Sequence, residues 1–236
     1  MGKNLIQQAR GKGSPRYKAP SFNYAGEIAH KQLDNKVESG IIKEIIHCPG
    51  HSAPLMKVQY EDGQETLLPA PEGVRVNDKV HNNNVEVIIG NTLPLKDIPE
   101  GTSIYNIEHV PGDGGKFVRA SGTFAKIVGK TSKGIEVKLP SKKMKIFSES
   151  CRAIIGTIAG GGRTEKPMLK AGNAVHKWAA RNKLYPIIGG NSQNAVDHPF
   201  GKGRSAKKGR PTVAPRNSPP GANVGKMHPR RTGYRR

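Results

Sequence analysis

Short β-branched runs set the pattern of the first half of the chain: Ile41-Ile42-Lys43-Glu44-Ile45-Ile46, Leu55-Met56-Lys57-Val58-Gln59-Tyr60, Glu65-Thr66-Leu67-Leu68 and Val85-Glu86-Val87-Ile88-Ile89. Turn clusters such as Glu61-Asp62-Gly63 and Pro71-Glu72-Gly73 separate them. This spacing predicts a small barrel or sandwich rather than strand–helix–strand units. Asp62-Gly63, set between two of the runs, is a hairpin signal. A connector from Gly90 to Gly101 leads to a second β module, with strands predicted at 103–109, 116–121, 124–128, 135–139, 145–147 and 152–158. In Ile135-Glu136-Val137-Lys138-Leu139 apolar and charged positions alternate, as in a strand with one wet face. Two modules of roughly 60–70 residues each are ordinary in size.

The flanks lack this pattern. Gly11-Lys12-Gly13-Ser14-Pro15-Arg16-Tyr17-Lys18-Ala19-Pro20 has no periodicity and too few apolar residues for a core, so it is expected to order only against a partner. Beyond Ala159 one short helix is predicted, Asn173 to Asn182, with Asn173 as N-cap. Val175, Trp178 and Ala179 share one side, and Trp178 is expected to anchor a small core. Lys177, Arg181 and Lys183 occupy the other side, where a nucleic acid backbone would lie. The resulting division is 1–36, an extended basic segment; 37–100 and 101–170, two β modules; and 171–236, a basic helix with an extended tail.

Charge sharpens the picture. The chain of 236 residues carries a net charge of +21, which predicts a polyanionic partner. Its distribution is uneven: +5 over 1–36, −7 over 37–115, +12 over 116–199 and +11 over 200–236. An acidic module is thus flanked by basic ones. Hydrophobic residues at 34%, with 29 Gly and 18 Pro, imply small cores and extended segments. No stretch approaches the roughly 18 apolar residues of a membrane helix, so no membrane partner is expected. Cys48 and Cys151 make no framework and read as reduced thiols of a cytosolic protein.

Several motifs suggest chemistry. Pro111-Gly112-Asp113-Gly114-Gly115-Lys116 resembles a phosphate loop but lacks its first Gly and its Ser or Thr, so a tight turn is expected. Ala159-Gly160-Gly161-Gly162-Arg163 fits either phosphate contact or a plain flexible loop. His47-Cys48-Pro49-Gly50-His51 offers three zinc ligands where a closed site needs four, so a turn is expected there and no metal is assigned. In Asn194-Ala195-Val196-Asp197-His198-Pro199-Phe200-Gly201 an acid and an imidazole enter a tail otherwise free of carboxylate side chains. His198 is the single candidate for acid–base work near neutral pH. No nucleophile or metal set accompanies it, so the segment reads as a turn that hydrogen-bonds nucleic acid. A DNA-packaging role is the third alternative.

Five motifs in order, Gly90-Asn91-Thr92-Leu93-Pro94-Leu95, Pro111 to Lys116, Lys138-Leu139-Pro140-Ser141, Ala159 to Arg163 and Asn194 to Pro199, resemble the universal large-subunit ribosomal protein family L-two. The compact N-terminal segment and Phe200 look like its archaeal and eukaryotic branch; bacterial members usually carry a second histidine at that place. Lys202 interrupts the glycine run usual after it. The resemblance implies a mostly β protein: an OB-fold barrel followed by an SH3-like barrel, with long basic tails and one short helix. It implies a non-enzymatic constituent of the cytoplasmic ribosome that binds large-subunit rRNA and neighbouring ribosomal proteins. It also implies a role in subunit association and a position near the peptidyl transferase centre, where the alternative is direct acid–base participation of His198 in peptide bond formation or another acyl transfer. No cofactor is assigned; Mg2+ or K+ would be structural, bridging protein and RNA. The expected rRNA contacts are Arg10, Lys12, Arg16 and Lys18, then Lys116, Arg119, Arg163 and Lys170, and Lys177, Arg181 and Lys183 on the helix. Asp197 and His198 follow, and then the tail residues Lys202, Arg204, Lys207, Lys208, Arg210, Arg216, Arg230 and Arg231.

Overall fold

Ten strands hydrogen-bond into one mixed sheet in the order β3-β2-β1-β4-β5-β10-β6-β7-β8-β9 in the computed structural model, which describes residues 2–32, 37–83, 86–202 and 217. The strands are β1 (Glu38–Ile46), β2 (Leu55–Tyr60), β3 (Glu65–Pro69), β4 (Lys79–Asn82), β5 (Thr92–Pro94), β6 (Ser103–Tyr105), β7 (Ala125–Thr131), β8 (Gly134–Lys138), β9 (Met144–Phe147) and β10 (Arg152–Ile155). Neighbours are antiparallel except β4 and β5, which meet in parallel at Asn82 and Thr92. All ten belong to one compact unit, Pro20–Leu169; a second unit combines Met1–Ala19 with Lys170–Arg236. The fold is mostly β, as expected.

The β2–β3 hairpin forms where Asp62-Gly63 predicts it. Gly63 takes φ +81°, and the Asp62 carboxylate accepts the Gln64 N–H at 3.0 Å. The run at 85–89 is different. Val85 lies outside the described residues, and Glu86–Ile88 form no strand, leaving Val87, Ile88 and Ile89 exposed. β4 holds the place beside β1 instead; its Lys-Val-His-Asn sequence carries little hydrophobic signal, although Val80 and Asn82 are buried. Likewise the predicted strand 116–121 is reduced to one bridge between Phe117 and Ile107, because Val118 adopts φ +55°. A β-branched residue in that region is strained and cannot continue an extended strand. The predicted 103–109 strand stops at Tyr105 for a related reason: Asn106 turns to φ +48°. β10 ends at Ile155, three residues early, where Gly156 takes φ +121°. The connector at 90–101, by contrast, contains β5.

Two apolar clusters share this sheet. One gathers Leu93, Leu95, Ile98, Ile104, Ile127, Val137, Phe147 and Ile155. The other gathers Ile42, Met56, Val58, Leu68, Val80, Tyr105 and Ile154. Neighbouring residues of a strand face opposite ways. Hence β6 sends Ile104 to the first cluster and Tyr105 to the second, and β10 sends Ile155 to the first and Ile154 to the second. Such fully buried aliphatic side chains each contribute about 1.5–3 kcal/mol through the hydrophobic effect.

Buried polar groups tie loops to this frame. Glu108 and Arg152 are both almost fully buried, and Arg152 Nη2 lies 2.8 Å from Glu108 Oε1. The second carboxylate oxygen accepts the Arg152 backbone N–H at 2.9 Å. The residues preceding β1 also pack here. Ile28 joins Cys48 and Leu55 in a small cluster, and His30 donates from Nε2 to the Asn106 carbonyl at 2.7 Å. Lys31 is buried between Glu38 and Asp62, with its ammonium 4.8 Å from the Tyr60 ring centre. Burial lowers the Lys31 pKa, but hydrogen bonds to Asp62 and Glu38 outweigh it and leave it raised.

Candidate nucleic-acid interface

The loop around Asp197-His198 is held from inside. The Asn194 carbonyl accepts the N–H groups of Asp197 (3.0 Å) and His198 (3.1 Å), and the His198 carbonyl accepts that of Gly201 (2.9 Å). The Lys202 N–H returns to the Gln193 carbonyl at 3.1 Å, which closes the loop. His198 Nδ1 accepts the Phe200 N–H at 3.0 Å, and the two rings meet edge to face with centres 5.1 Å apart. The imidazole lies on Gly190: a Cβ there would stand 2.4 Å from a ring carbon. Asp197 points to Lys3 instead, 3.7 Å away, and the Lys3 N–H donates to the Val196 carbonyl at 2.8 Å. Carboxylate and imidazole therefore have separate partners. The arrangement shapes a loop and does not assemble a proton relay.

Near this loop, α1 (Ile6–Gly11) and residues 184–197 line a hollow of about 610 Å3, with Lys3 and Arg10 among its walls. The sequence gives no periodic signal for α1, which is one and a half turns long and buries no side chain. A second, smaller hollow brings Arg16 and Lys183 together. Lys12 and Lys18 are exposed close by in the chain, and Pro15–Tyr17 form a single tight turn.

α2 (Ala171–Ala179) starts earlier than predicted, and Lys170, extended at φ −125°, precedes it in place of Asn173. No side chain caps it, so the cap chemistry read into Asn173 does not decide where it begins. Its end follows ordinary rules: Asn182 takes φ +51°, as C-terminal cap positions do, and its amide donates to the Lys18 carbonyl at 2.9 Å. Trp178 is only half-buried and anchors no core, since no residue of α2 is buried. The Lys177 and Lys183 ammonium groups instead stand 5.6 and 5.5 Å from its ring centre. Arg181 is half-buried beside them.

In the strand-bearing unit, the 111–116 segment is the expected tight turn. Asp113 accepts the N–H groups of His109, Val110 and Gly115, and these donors hold its pKa down against the opposing effect of burial. Lys116 leaves this turn exposed. Arg119 is half-buried and gives two donors to the carbonyls of Gly115 and Ile28. Arg163 donates from Nε to Ser121 Oγ at 2.9 Å; Lys170, the first residue past this unit, is exposed. His51 Nδ1 sits 3.1 Å from Cys48 Sγ, while Cys151 belongs to another cluster. Among the described residues no three His, Cys, Asp or Glu side chains converge. Arg204, Lys207, Lys208, Arg210, Arg216, Arg230 and Arg231 lie outside the described residues.

The glycine loop at 160–162 has a local reason for its composition. Gly122 (φ +69°) backs directly onto Gly161: an added Cβ would fall 2.2 Å from the Gly161 Cα. Gly122→Ala is expected to cost about 2–4 kcal/mol, combining left-handed strain with backbone displacement. Gly63→Ala, with an open environment, carries only the strain. Urea unfolding of the two variants measures the difference, and equal losses would refute the close approach.

The contacts expected from the sequence do not include Phe124, Lys126 or Lys138, although Lys138 opens one of the five motifs; the two lysines share one exposed face of β7 and β8, and Phe124 lies just before β7. The two-residue spacing of Phe124 and Lys126 was the available signal.

Comparison with known proteins bears on the family. Residues 88–221 match the family described as Ribosomal Proteins L2, C-terminal domain. The large ribosomal subunit protein uL2 of Methanocella arvoryzae is 47% identical over 235 residues, 99% of each chain. That of Archaeoglobus fulgidus is 46% identical and that of Methanothermobacter thermautotrophicus 45%, over the whole of both chains in each case. With similarity running over the whole length of these relatives, the chain belongs to the uL2 family of large ribosomal subunit proteins, and its similar relatives are of archaeal type.

Proposed function

We propose that the chain is a structural, non-enzymatic constituent of the large ribosomal subunit in the cytoplasmic ribosome, where it binds rRNA. One observation carries this reading. The described part of the unit holding the Asp197-His198 loop has ten Lys and Arg and a single Asp or Glu, Asp197, which is paired with Lys3. A surface so unbalanced repels itself unless a polyanion neutralises it. Ammonium and guanidinium groups displace condensed counterions from RNA, which makes affinity depend steeply on salt. Arg10, Lys12, Arg16, Lys18, Lys170, Lys177, Arg181, Lys183 and Lys202 supply these contacts, with Lys116, Arg119 and Arg163 from the other unit. The basic tail adds Arg204, Lys207, Lys208, Arg210, Arg216, Arg230 and Arg231. Asp197 and His198 hold the shape of the turn that meets RNA near the peptidyl transferase centre.

The same reading extends to architecture and partners. We read the two apolar clusters as the cores of two barrels, an OB-fold barrel over 37–100 and an SH3-like barrel over 101–170, each borrowing residues from across that boundary (Tyr105 and Ile154 in one, Leu93, Leu95 and Ile98 in the other) and flanked by the 1–36 and 171–236 segments. The acidic stretch 37–115 suits contact with neighbouring ribosomal proteins and with the small subunit across the interface, which serves subunit association. Any Mg2+ or K+ would be structural, bridging protein and RNA.

Truncation after Lys202 removes ten Lys and Arg. The truncated chain is expected to bind large-subunit rRNA more weakly and with a flatter dependence on salt, by about 0.7–0.9 in log–log slope for each phosphate the tail no longer neutralises. Filter binding across a salt series measures this. An unchanged slope would remove the tail from the interface.

A further inference from the structure

A groove of about 420 Å3 opens against β7 and β8, lined by Gly122, Phe124, Lys126, Lys138, Leu139 and Pro140. Its composition is unusual for a free strand surface. Phe124 is 40% exposed, while Phe147 packs into the core and Phe117 packs against it. Lys126 and Lys138 are direct cross-strand partners, so two like charges stand on one face where repulsion destabilises the pair. Among the described residues neither forms an ion pair; Glu136, farther along β8, is not within ion-pair distance of either. The Lys126 ammonium stands 5.9 Å from the Phe124 ring centre, so an aromatic face and a cation adjoin. Residues 122–145 contain seven lysines and one acid. Gly122, at the end of the groove, backs onto Gly161 in the turn that carries Arg163.

We propose that this groove binds one unpaired nucleotide of an RNA, its base stacked on Phe124 and its phosphate between Lys126 and Lys138. The inference rests on the rRNA-binding reading and assigns a site within it. A flat base covers an aromatic face regardless of sequence, and the two ammonium groups need an anion that reaches both. Duplex RNA keeps its bases stacked inside, so the ligand is a looped-out or single-stranded nucleotide. An acidic peptide would neutralise the lysines but leave Phe124, Leu139 and Pro140 uncovered, which favours a nucleotide.

The test uses the full chain and a single-stranded RNA decamer carrying 2-aminopurine, whose fluorescence reports stacking. Phe124→Ala is expected to weaken binding about tenfold and abolish the stacking quench while leaving the salt slope unchanged. Phe124→Tyr, which keeps the ring, retains both. Lys126→Gln combined with Lys138→Gln lowers the slope by about 0.7, for the one phosphate that the pair holds, and leaves the fold intact. Should Phe124→Ala lower the melting temperature, the Tyr and double-Gln variants decide. Binding by Phe124→Ala within about twofold of the parent, with melting unchanged, overturns the proposal, because a stacked base contributes more than that. So does an unchanged slope in the double-Gln variant, or competition by polyglutamate that ignores Phe124. Loss of rRNA binding by the parent chain itself, with decamer binding kept, would refute the ribosomal reading and leave the groove standing.

Discussion

Glu108→Gln is expected to destabilise the protein by about 3–5 kcal/mol, because it leaves the Arg152 guanidinium buried without a counter-charge. Arg152 and Glu108 side chains are only 2% and 0% exposed, so water cannot replace the lost carboxylate. Arg152 also opens β10, the strand that joins both apolar clusters, so the damage is central. The pair's net contribution is a separate matter. Replacing both residues with apolar ones of similar volume, as in Glu108→Leu with Arg152→Met, is expected to restore much of the loss, since neither charge is then stranded. Urea midpoints of the parent, single and double variants test the argument. A single-variant loss under about 1 kcal/mol would show the pair to be hydrated, contrary to its burial.

The second large effect is acid sensitivity at His30. Burial lowers its pKa from 6.5 to about 4; Arg152 adds to that shift, and Asn106, Glu108 and Asp113 oppose it. Between those two values the unfolded chain takes up a proton that the folded chain refuses. The stabilisation is therefore complete above pH 6.5 and is lost as pH falls towards 4. The full loss is about 3 kcal/mol, with about 2 kcal/mol gone by pH 5. His51, whose pKa burial also lowers, contributes with the same sign. Asp62 and Asp113 have lowered pKa values too, but their contributions disappear only at more acid pH, below the ordinary carboxylate value of 3.8. The His30→Gln variant removes the His30 part of the first window and leaves the His51 part and the second window. If stability between pH 7 and 5 has the same slope in both proteins, His30 is not the acid-labile group.

The sequence carried some of this plainly and some of it not at all. Strands with strong alternation, such as Ile135 to Leu139, appear within one residue of their predicted places, because alternation is the direct mark of a half-buried strand. β4 was invisible: Val80 is its only buried apolar residue, and its other buried position is Asn82. Glu86–Ile89 erred in the other direction, since hydrophobicity cannot say whether a partner edge is free. The buried polar groups were hidden for a similar reason. Nothing near Lys31 in sequence announces Asp62, and nothing near Glu108 announces Arg152; both pairs exist only once the strands align. The candidate interface was easier to read, because charge distribution survives without knowledge of the fold. Its exceptions are Phe124 and Lys138, which belong together only through strand register.

The doubled role of β6 and β10 has a consequence for how the molecule can be divided. Ile154 and Ile155 are consecutive, yet each completes a different apolar cluster, and Ile104 and Tyr105 repeat the arrangement next door. A cut placed between the two halves would strip each of a wall it borrows from the other. Neither half could then be inherited, transplanted or cleaved away as a self-sufficient module, and in hydrogen exchange both should open together as one event.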